Sequence, residues 1–275
     1  MKLYLETKDY TLTGESFQLL KDPMLDMLVT KPQPKDLEKY YESKDYISHT
    51  DSQKSFVDKI YQTVKAYNLN RKLALIGSYV SEDKTLLDVG AGTGDFLSGA
   101  KKGGWEIFGV EPSVLAKRKA AEKNVELFRD LDALPKRKFE VITLWHVLEH
   151  LPELDQQISK LVGLLSHTGT LVVAVPNFKS YDAGYYKEFW AAFDVPRHLW
   201  HFSRNSVQSI FAKHGMKVVK TKPMIFDAFY VSLLSEKYKT GKQHFLKALW
   251  VGLKSNLLAY RSKEYSSLIY IIKRA

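Results

Sequence analysis

Four groups of side chains in this 275-residue chain have types and spacings that chemistry can use. The first is Asp88-Val89-Gly90-Ala91-Gly92-Thr93-Gly94, with Glu111 standing 21 positions beyond Gly90. Alternate glycines let a backbone turn sharply and approach a ligand more closely than a Cβ permits, and a carboxylate at that distance can take both hydroxyls of a ribose. The second is His146, Glu149 and His150. On a helix the two histidines share a face; such a set suits a metal and equally a polar lid over a bound cofactor, and no metal is assigned to it. His146 is also a candidate base, because imidazole accepts a hydroxyl proton near neutral pH; a structural histidine fits as well. The third is the aromatic run from Tyr185 to Phe202, where Trp190, Asp194, Arg197 and His198 read as a substrate wall with His198 a second candidate base. Its alternative is a hydrophobic cap on a sheet edge.

The fourth group lies between His244 and Tyr260. Leu246, Leu249, Trp250, Leu253 and Leu257 form an apolar stripe, and Lys247, Lys254 and Arg261 recur every seven residues. This is a basic amphipathic helix. Either the stripe packs on the core and the basic face is solvated, or the helix meets an anionic membrane surface, an acidic substrate or a dimer partner.

The elements that must position these groups alternate regularly. Thr85–Val89 reads as a buried strand, and Phe96, Leu97 and Ala100 line the inner face of a helix that stops at Lys102-Gly103-Gly104. Trp105–Val110, Val125–Phe128, Phe139–Leu144, Thr170–Val175, Met216–Lys220 and Leu268–Ile272 read as further strands. Helices are expected after Ser113, over Leu154–Leu165, and from a Ser203 cap to His214. Another helix, capped by Asp51 or Ser52, precedes the first strand. Strand and helix in alternation predict a doubly wound α/β fold: a seven-stranded sheet, mostly parallel with the last strand antiparallel, and helices on both faces. Residues 1–50 look irregular, a lead-in to one domain over 51–275 with insertions at about 177–202 and 223–264.

In such a fold, ligands bind outside the carboxyl ends of the strands, which is where the glycine loop falls. A dinucleotide loop wants glycine or alanine five residues after its first glycine, and Asp95 stands there. A carboxylate repels a pyrophosphate and tolerates a ligand with an ammonium group. Asp88 points the same way, so an adenosyl ligand with an amino-acid tail and a sulfonium fits better than a nicotinamide dinucleotide.

Leu87-Asp88-Val89-Gly90-Ala91-Gly92-Thr93-Gly94 resembles the first motif of class I S-adenosylmethionine-dependent methyltransferases, and Glu111 resembles their ribose acid. The likeness covers about residues 85–220 and implies a Rossmann-like fold with S-adenosyl-L-methionine as cofactor. It implies that Asp88, Gly90, Ala91, Gly92, Gly94, Glu111 and His146 line the cofactor site, and that Asp130 with Leu131 meets the adenine, Asp132 being the competitor. Phe139-Glu140-Val141-Ile142 resembles the family's fourth strand, with Glu140 replacing its usual aspartate. Trp145–Leu151 is similar to the following segment in small-molecule members such as ubiquinone-biosynthesis O-methyltransferases, which implies methyl transfer to a small-molecule oxygen. Relatives often begin with a zinc knuckle of paired cysteines; Asp22 and Leu25 stand where a pair would fall, so a packing element or partner surface is expected there.

Composition narrows the alternatives. There is no cysteine, which excludes disulfides, thiolate metal sites and cysteine adducts. No run has the length of a signal peptide's apolar core or of a membrane span, and a cytoplasmic protein is expected. The net charge is +10, and residues 201–275 hold 14 Lys/Arg against 3 Asp/Glu. That asymmetry keeps RNA methylation as an alternative, although Leu144-Trp145-His146 replaces the Pro-Pro-aromatic motif of exocyclic-amine methylation. A cofactor-binding module without turnover is the other alternative.

Overall fold

The computed structural model describes residues 1–34, 36–41, 56–80 and 83–275; the expected caps Asp51 and Ser52 lie outside them. Strand β4 (Thr85–Val89) is buried on both faces and is therefore a continuous apolar run with no alternation. It pairs in parallel with β5 (Glu106–Val110) on one side and β6 (Phe139–Trp145) on the other. Beyond β6 come β7 (Leu165–Pro176), then β10 (Ser267–Arg274), then β9 (Met216–Pro223), in the order β5-β4-β6-β7-β10-β9. β10 runs antiparallel to both of its neighbours, opposite in direction to the other five strands.

Among the described residues the sheet has six strands, not the seven expected. Val125–Phe128 contributes one bridge, Phe128 to Val110. Squeezed between Asn124, whose φ is +57°, and the turn that Asp130 caps, the segment is too short to build a ladder.

Helices cover both faces. α2 (Asp95–Lys102) buries Phe96, Leu97 and Ala100, with an acid in its first turn and lysines in its last, as the helix dipole favours. With α1 (Phe56–Gly77) it covers the side to which Leu86, Val141, Val172 and Ile271 point. α3 (Val114–Ala121) follows β5, its first turn held by Ser113. α4 (Leu154–Leu164) and α6 (Arg204–Ala212) cover the side of Leu87, Leu144, Val173 and Ile272. Ser203 caps α6 through a reciprocal bond pair with Ser206.

The first 31 residues, expected to be irregular, form three strands: β1 (Lys2–Lys8), β2 (Ser16–Lys21) and β3 (Leu28–Lys31). With β8 (Trp200–His201) they make a second, antiparallel sheet. Carboxylates hold its two hairpin turns. Asp9 accepts from the N–H groups of Thr11, Leu12 and Thr13, and Asp22 from those of Met24 and Leu25 at 2.8 and 3.0 Å. Asp22, at one position of the absent cysteine pair, thus closes its turn by an Asx bond.

The insertion after β7 contains α5 (Tyr181–Tyr186) and β8 and buries Trp190, Phe193 and Val195 against Phe17 and Leu19 of the small sheet. The later insertion is a helical hairpin, α7 (Asp227–Thr240) and α8 (Phe245–Ser262). In α8 the first of the two expected arrangements, the stripe packed on the core, is not the one found. Ala248, Gly252, Ser255 and Ala259 face inward, with Gly252 against Phe229, while Leu246, Leu249, Trp250 and Leu257 are exposed. Small residues let the two backbones approach closely, which turns the large apolar stripe outward.

Candidate active site

The loop after β4 is built by its own backbone. Gly90, Gly92 and Gly94 have φ of +72°, +53° and +74°, values at which a side chain is strained. Gly90 and Ala91 donate their N–H groups to Val110 at 2.8 and 3.0 Å. A Cβ at Gly90 would strike Val147, and one at Gly94 would lie 2.9 Å from Ala120. At Gly92 nothing stands within 4 Å: its glycine leaves an open face. Glu111 accepts from the Gly92 and Ser113 N–H groups, both at 2.9 Å, and a carboxylate keeps capacity for two more donors.

Below the loop, buried Asp88 accepts from the Thr143 hydroxyl at 2.6 Å. Burial pushes its carboxyl up to about 7, against the pull of that bond and of the Lys72 charge. Asp95 is 2.6 Å from the Lys123 ammonium, which also donates to the Thr93 carbonyl at 2.8 Å. Its charge is therefore already countered, and the repulsion expected of it toward a pyrophosphate loses force. Asp130 caps a turn by accepting from the Asp132 and Ala133 N–H groups, Leu131 packs on the core, and Asp132 pairs with Lys160 at 2.8 Å.

The histidines gather at the end of β6. His146, at φ +57°, has Nε2 3.1 Å from Asp227 Oδ2 and Nδ1 3.3 Å from Glu149 Oε1. Burial opposes its charge, but the two carboxylates outweigh that and push it up to about 10. An imidazolium bonded at both nitrogens has no lone pair, so the general-base role expected of His146 does not fit this arrangement. His150 turns away from His146, because the segment is a single 3-10 turn, and meets the edge of His198 at 4.5 Å between ring centres. Burial and the neighbouring His198 hold His150 down to about 4.

His146, His150, Asp194 and His198 line a cavity of about 430 Å³ with Tyr10, Asp227 and Tyr230. A second, of about 290 Å³, has Lys72 in its wall and shares Met224 and Asp227 with the first. Gly90–Gly94 are in neither wall. Two residues expected to touch substrate are instead structural. Trp190, 2% exposed, donates its indole N–H to Asp182 at 2.8 Å. Arg197, 1% exposed, is held by Asp9 at 2.9 Å, Asp194 at 2.6 Å and the Tyr40 carbonyl at 3.1 Å.

The family model described as a methyltransferase domain matches residues 58–221. The chain belongs to this methyltransferase family. It is a class I enzyme that uses S-adenosylmethionine. A curated relative, an uncharacterized methyltransferase of Geobacillus thermodenitrificans, is 27% identical over 150 residues, which are 49% of this chain and 70% of the relative. Among solved structures, magnesium protoporphyrin IX methyltransferase from Synechocystis with bound SAH superposes with a TM-score of 0.58 at 18% identity, over 87% of this chain and 98% of that one. The cyclopropane synthase MmaA2 of Mycobacterium tuberculosis gives 0.51 at 11% identity, over 74% and 82%. These two likenesses concern the fold.

In the methyltransferase, the open face at Gly92 and the partly free Glu111 carboxylate suit a ligand with ribose hydroxyls. Two residues near this region escaped the sequence reading of candidate roles, and a third was only half read. Asp227 reaches His146 from 81 positions away, and no local pattern marks it. Lys72 lies 4.4 Å over the Trp145 ring, and burial lowers its pKa although Asp88 and Asp227 oppose this. Glu149 was noticed beside His146, but its link to His198 required the fold.

Proposed function

We propose that this methyltransferase moves the methyl group of S-adenosylmethionine to an oxygen of a small-molecule acceptor held in the 430 Å³ cavity. One observation carries the reading: consecutive residues join the two sites. Val147 packs against Gly90 of the cofactor loop, and His146 faces the cavity. The cavity also has the mixed lining of a small-molecule pocket, apolar walls with a few placed polar groups. In the transfer a carbon–sulfur bond breaks as a carbon–oxygen bond forms, the sulfonium becomes a thioether, and the hydroxyl proton passes to solvent. The donor is already activated, so the protein's task is alignment and exclusion of water. His146, with both ring nitrogens engaged by Glu149 and Asp227, lines the cavity and does not deprotonate the acceptor. Glu111 and the Gly92 backbone hold the cofactor.

Calorimetry with S-adenosylhomocysteine tests the cofactor site: wild type binds and Gly92→Trp does not, and full retention by the variant overturns it. Isotope-labelled methyl transfer into a metabolite extract tests the acceptor. A labelled methyl on oxygen supports the reading; on nitrogen, carbon or sulfur it overturns the oxygen assignment.

We also infer that α8 rests on an anionic membrane surface. Leu246 and Trp250 are 85% and 64% exposed, flanked by Lys247, Lys254 and Arg261. No helix among the described residues is long and apolar enough to cross a membrane, so the contact is peripheral. The exposed face is apolar between cations, which suits a lipid interface better than an RNA backbone.

A further inference from the structure

Glu149, His150 and His198 each offer a ligand atom, and these atoms lie within 4.8 Å of one another; His150 and His198 line the cavity. Glu149 is 1% exposed, and its Oε2 has no hydrogen-bond partner among the described residues. A buried carboxylate oxygen left without a donor is costly. The histidines complete the case through their other nitrogens. His150 Nδ1 lies 3.0 Å from the Tyr41 hydroxyl and 3.1 Å from the Arg197 carbonyl, and His198 Nδ1 2.9 Å from the Ala192 carbonyl. A carbonyl only accepts and a hydroxyl can accept, so in the neutral rings an Nδ1 hydrogen serves these partners and leaves each Nε2 a lone pair. Backbone carbonyls that fix the tautomer in this way are what metal-ligating histidines ordinarily have behind them. Glu149 has an equivalent support, since its Oε1 is held by His146 at 3.3 Å.

We propose that Glu149, His150 and His198 bind one divalent transition metal ion. Two imidazoles and one carboxylate favour zinc, cobalt or iron(II) over magnesium or calcium, which prefer oxygen ligands. With metal–ligand bonds of about 2.0–2.2 Å the ligand atoms must close to about 3.4 Å apart, a contraction that side-chain rotation supplies. Three protein ligands leave an open position, the arrangement of a catalytic site. Because His150 and His198 line the acceptor cavity, that position faces an acceptor. Asp194, whose Oδ2 lies 4.0 Å from His198 Nε2, becomes a fourth ligand if it turns. An ion there would act as a Lewis acid on an acceptor hydroxyl. This use rests on the oxygen reading above; the site itself does not.

The test is direct metal binding to the full chain after chelator treatment, read by calorimetry with Zn²⁺ and by the visible absorption of Co²⁺, with S-adenosylhomocysteine affinity measured beside it. One equivalent binds in wild type, Glu149→Gln and His198→Ala weaken it at least about tenfold, and S-adenosylhomocysteine affinity stays unchanged. A wild-type dissociation constant above about 1 mM for both ions, or equal affinity in folded variants, overturns the proposal. Should the variants not fold, X-ray absorption of the zinc-loaded wild type decides: imidazole scattering at about 2.0–2.1 Å supports the site, and its absence overturns it. Loss of S-adenosylhomocysteine binding with metal binding intact would instead count against the cofactor reading alone.

Discussion

Glu111 joins the end of β5 to the apex of the glycine loop through two backbone N–H groups, and removing it leaves both without their acceptor. Glu111→Ala should lower stability by about 1–3 kcal/mol and also weaken S-adenosylhomocysteine binding; chemical denaturation and calorimetry measure the two effects, and a variant with unchanged stability would mean that the clamp is idle. Asp88 carries a different signature. The native state keeps its proton up to about 7, whereas the unfolded chain releases it near 4. Raising the pH through that window therefore favours the unfolded chain, and the stabilising share of the bound proton is lost toward neutrality. Asp88→Asn should flatten the fall in stability between about pH 5 and pH 7 by on the order of 2 kcal/mol, read from urea unfolding at the two values. An unchanged slope would remove Asp88 as its source. The loop was legible from sequence because positive-φ glycines and an acid at the next strand end are local features. The Asp227 contact to His146 was not, because only the docking of α7 brings it there.

Among the elements, the small sheet and the insertion after β7 are locked together by one guanidinium. Arg197 bridges Asp9, in the first hairpin turn, and Asp194, in its own segment, and the Thr30 hydroxyl of β3 donates to the His198 carbonyl at 2.6 Å. Truncating one partner of a buried ion pair leaves the others charged and unmatched. Arg197→Ala should therefore cost about 3–5 kcal/mol, and Arg197→Lys should rescue little, since an ammonium cannot span the fork of contacts; thermal unfolding ranks the three proteins. A loss below about 1 kcal/mol, the scale of an exposed pair, would show that the clamp carries no weight. The central α/β alternation could be read from the chain because each buried strand and helix is a local apolar pattern. The N-terminal hairpins were missed although Phe17 and Leu19 alternate inward in β2. Prolines and polar turns interrupt strands of four to seven residues, too short for periodicity to stand out.

Over the whole molecule, charge and apolar exposure coincide in the C-terminal quarter. Its excess of 14 Lys/Arg over 3 Asp/Glu adds long-range attraction to an anionic surface, and α8 presents Leu246, Leu249, Trp250 and Leu257 outward. The sequence showed the stripe and the lysines but not which way they faced, because that depends on the small residues buried against α7. Two contributions should then separate in a vesicle sedimentation assay. Binding to vesicles with anionic lipid should exceed binding to neutral ones, and added salt should weaken it, since the lysine attraction is screened beyond a Debye length of about 10 Å at 0.1 M. Leu246→Glu with Trp250→Glu should abolish the salt-resistant remainder, which comes from apolar insertion at about 25 cal/mol per Å² buried, while S-adenosylhomocysteine binding stays intact. Val231 and Leu234 of α7 line the cavity, and α8 packs on that helix, so α7 connects the membrane face to the acceptor site. Equal partition of wild type and the double variant would leave α8 as a self-association face, which a concentration series in analytical ultracentrifugation would then reveal.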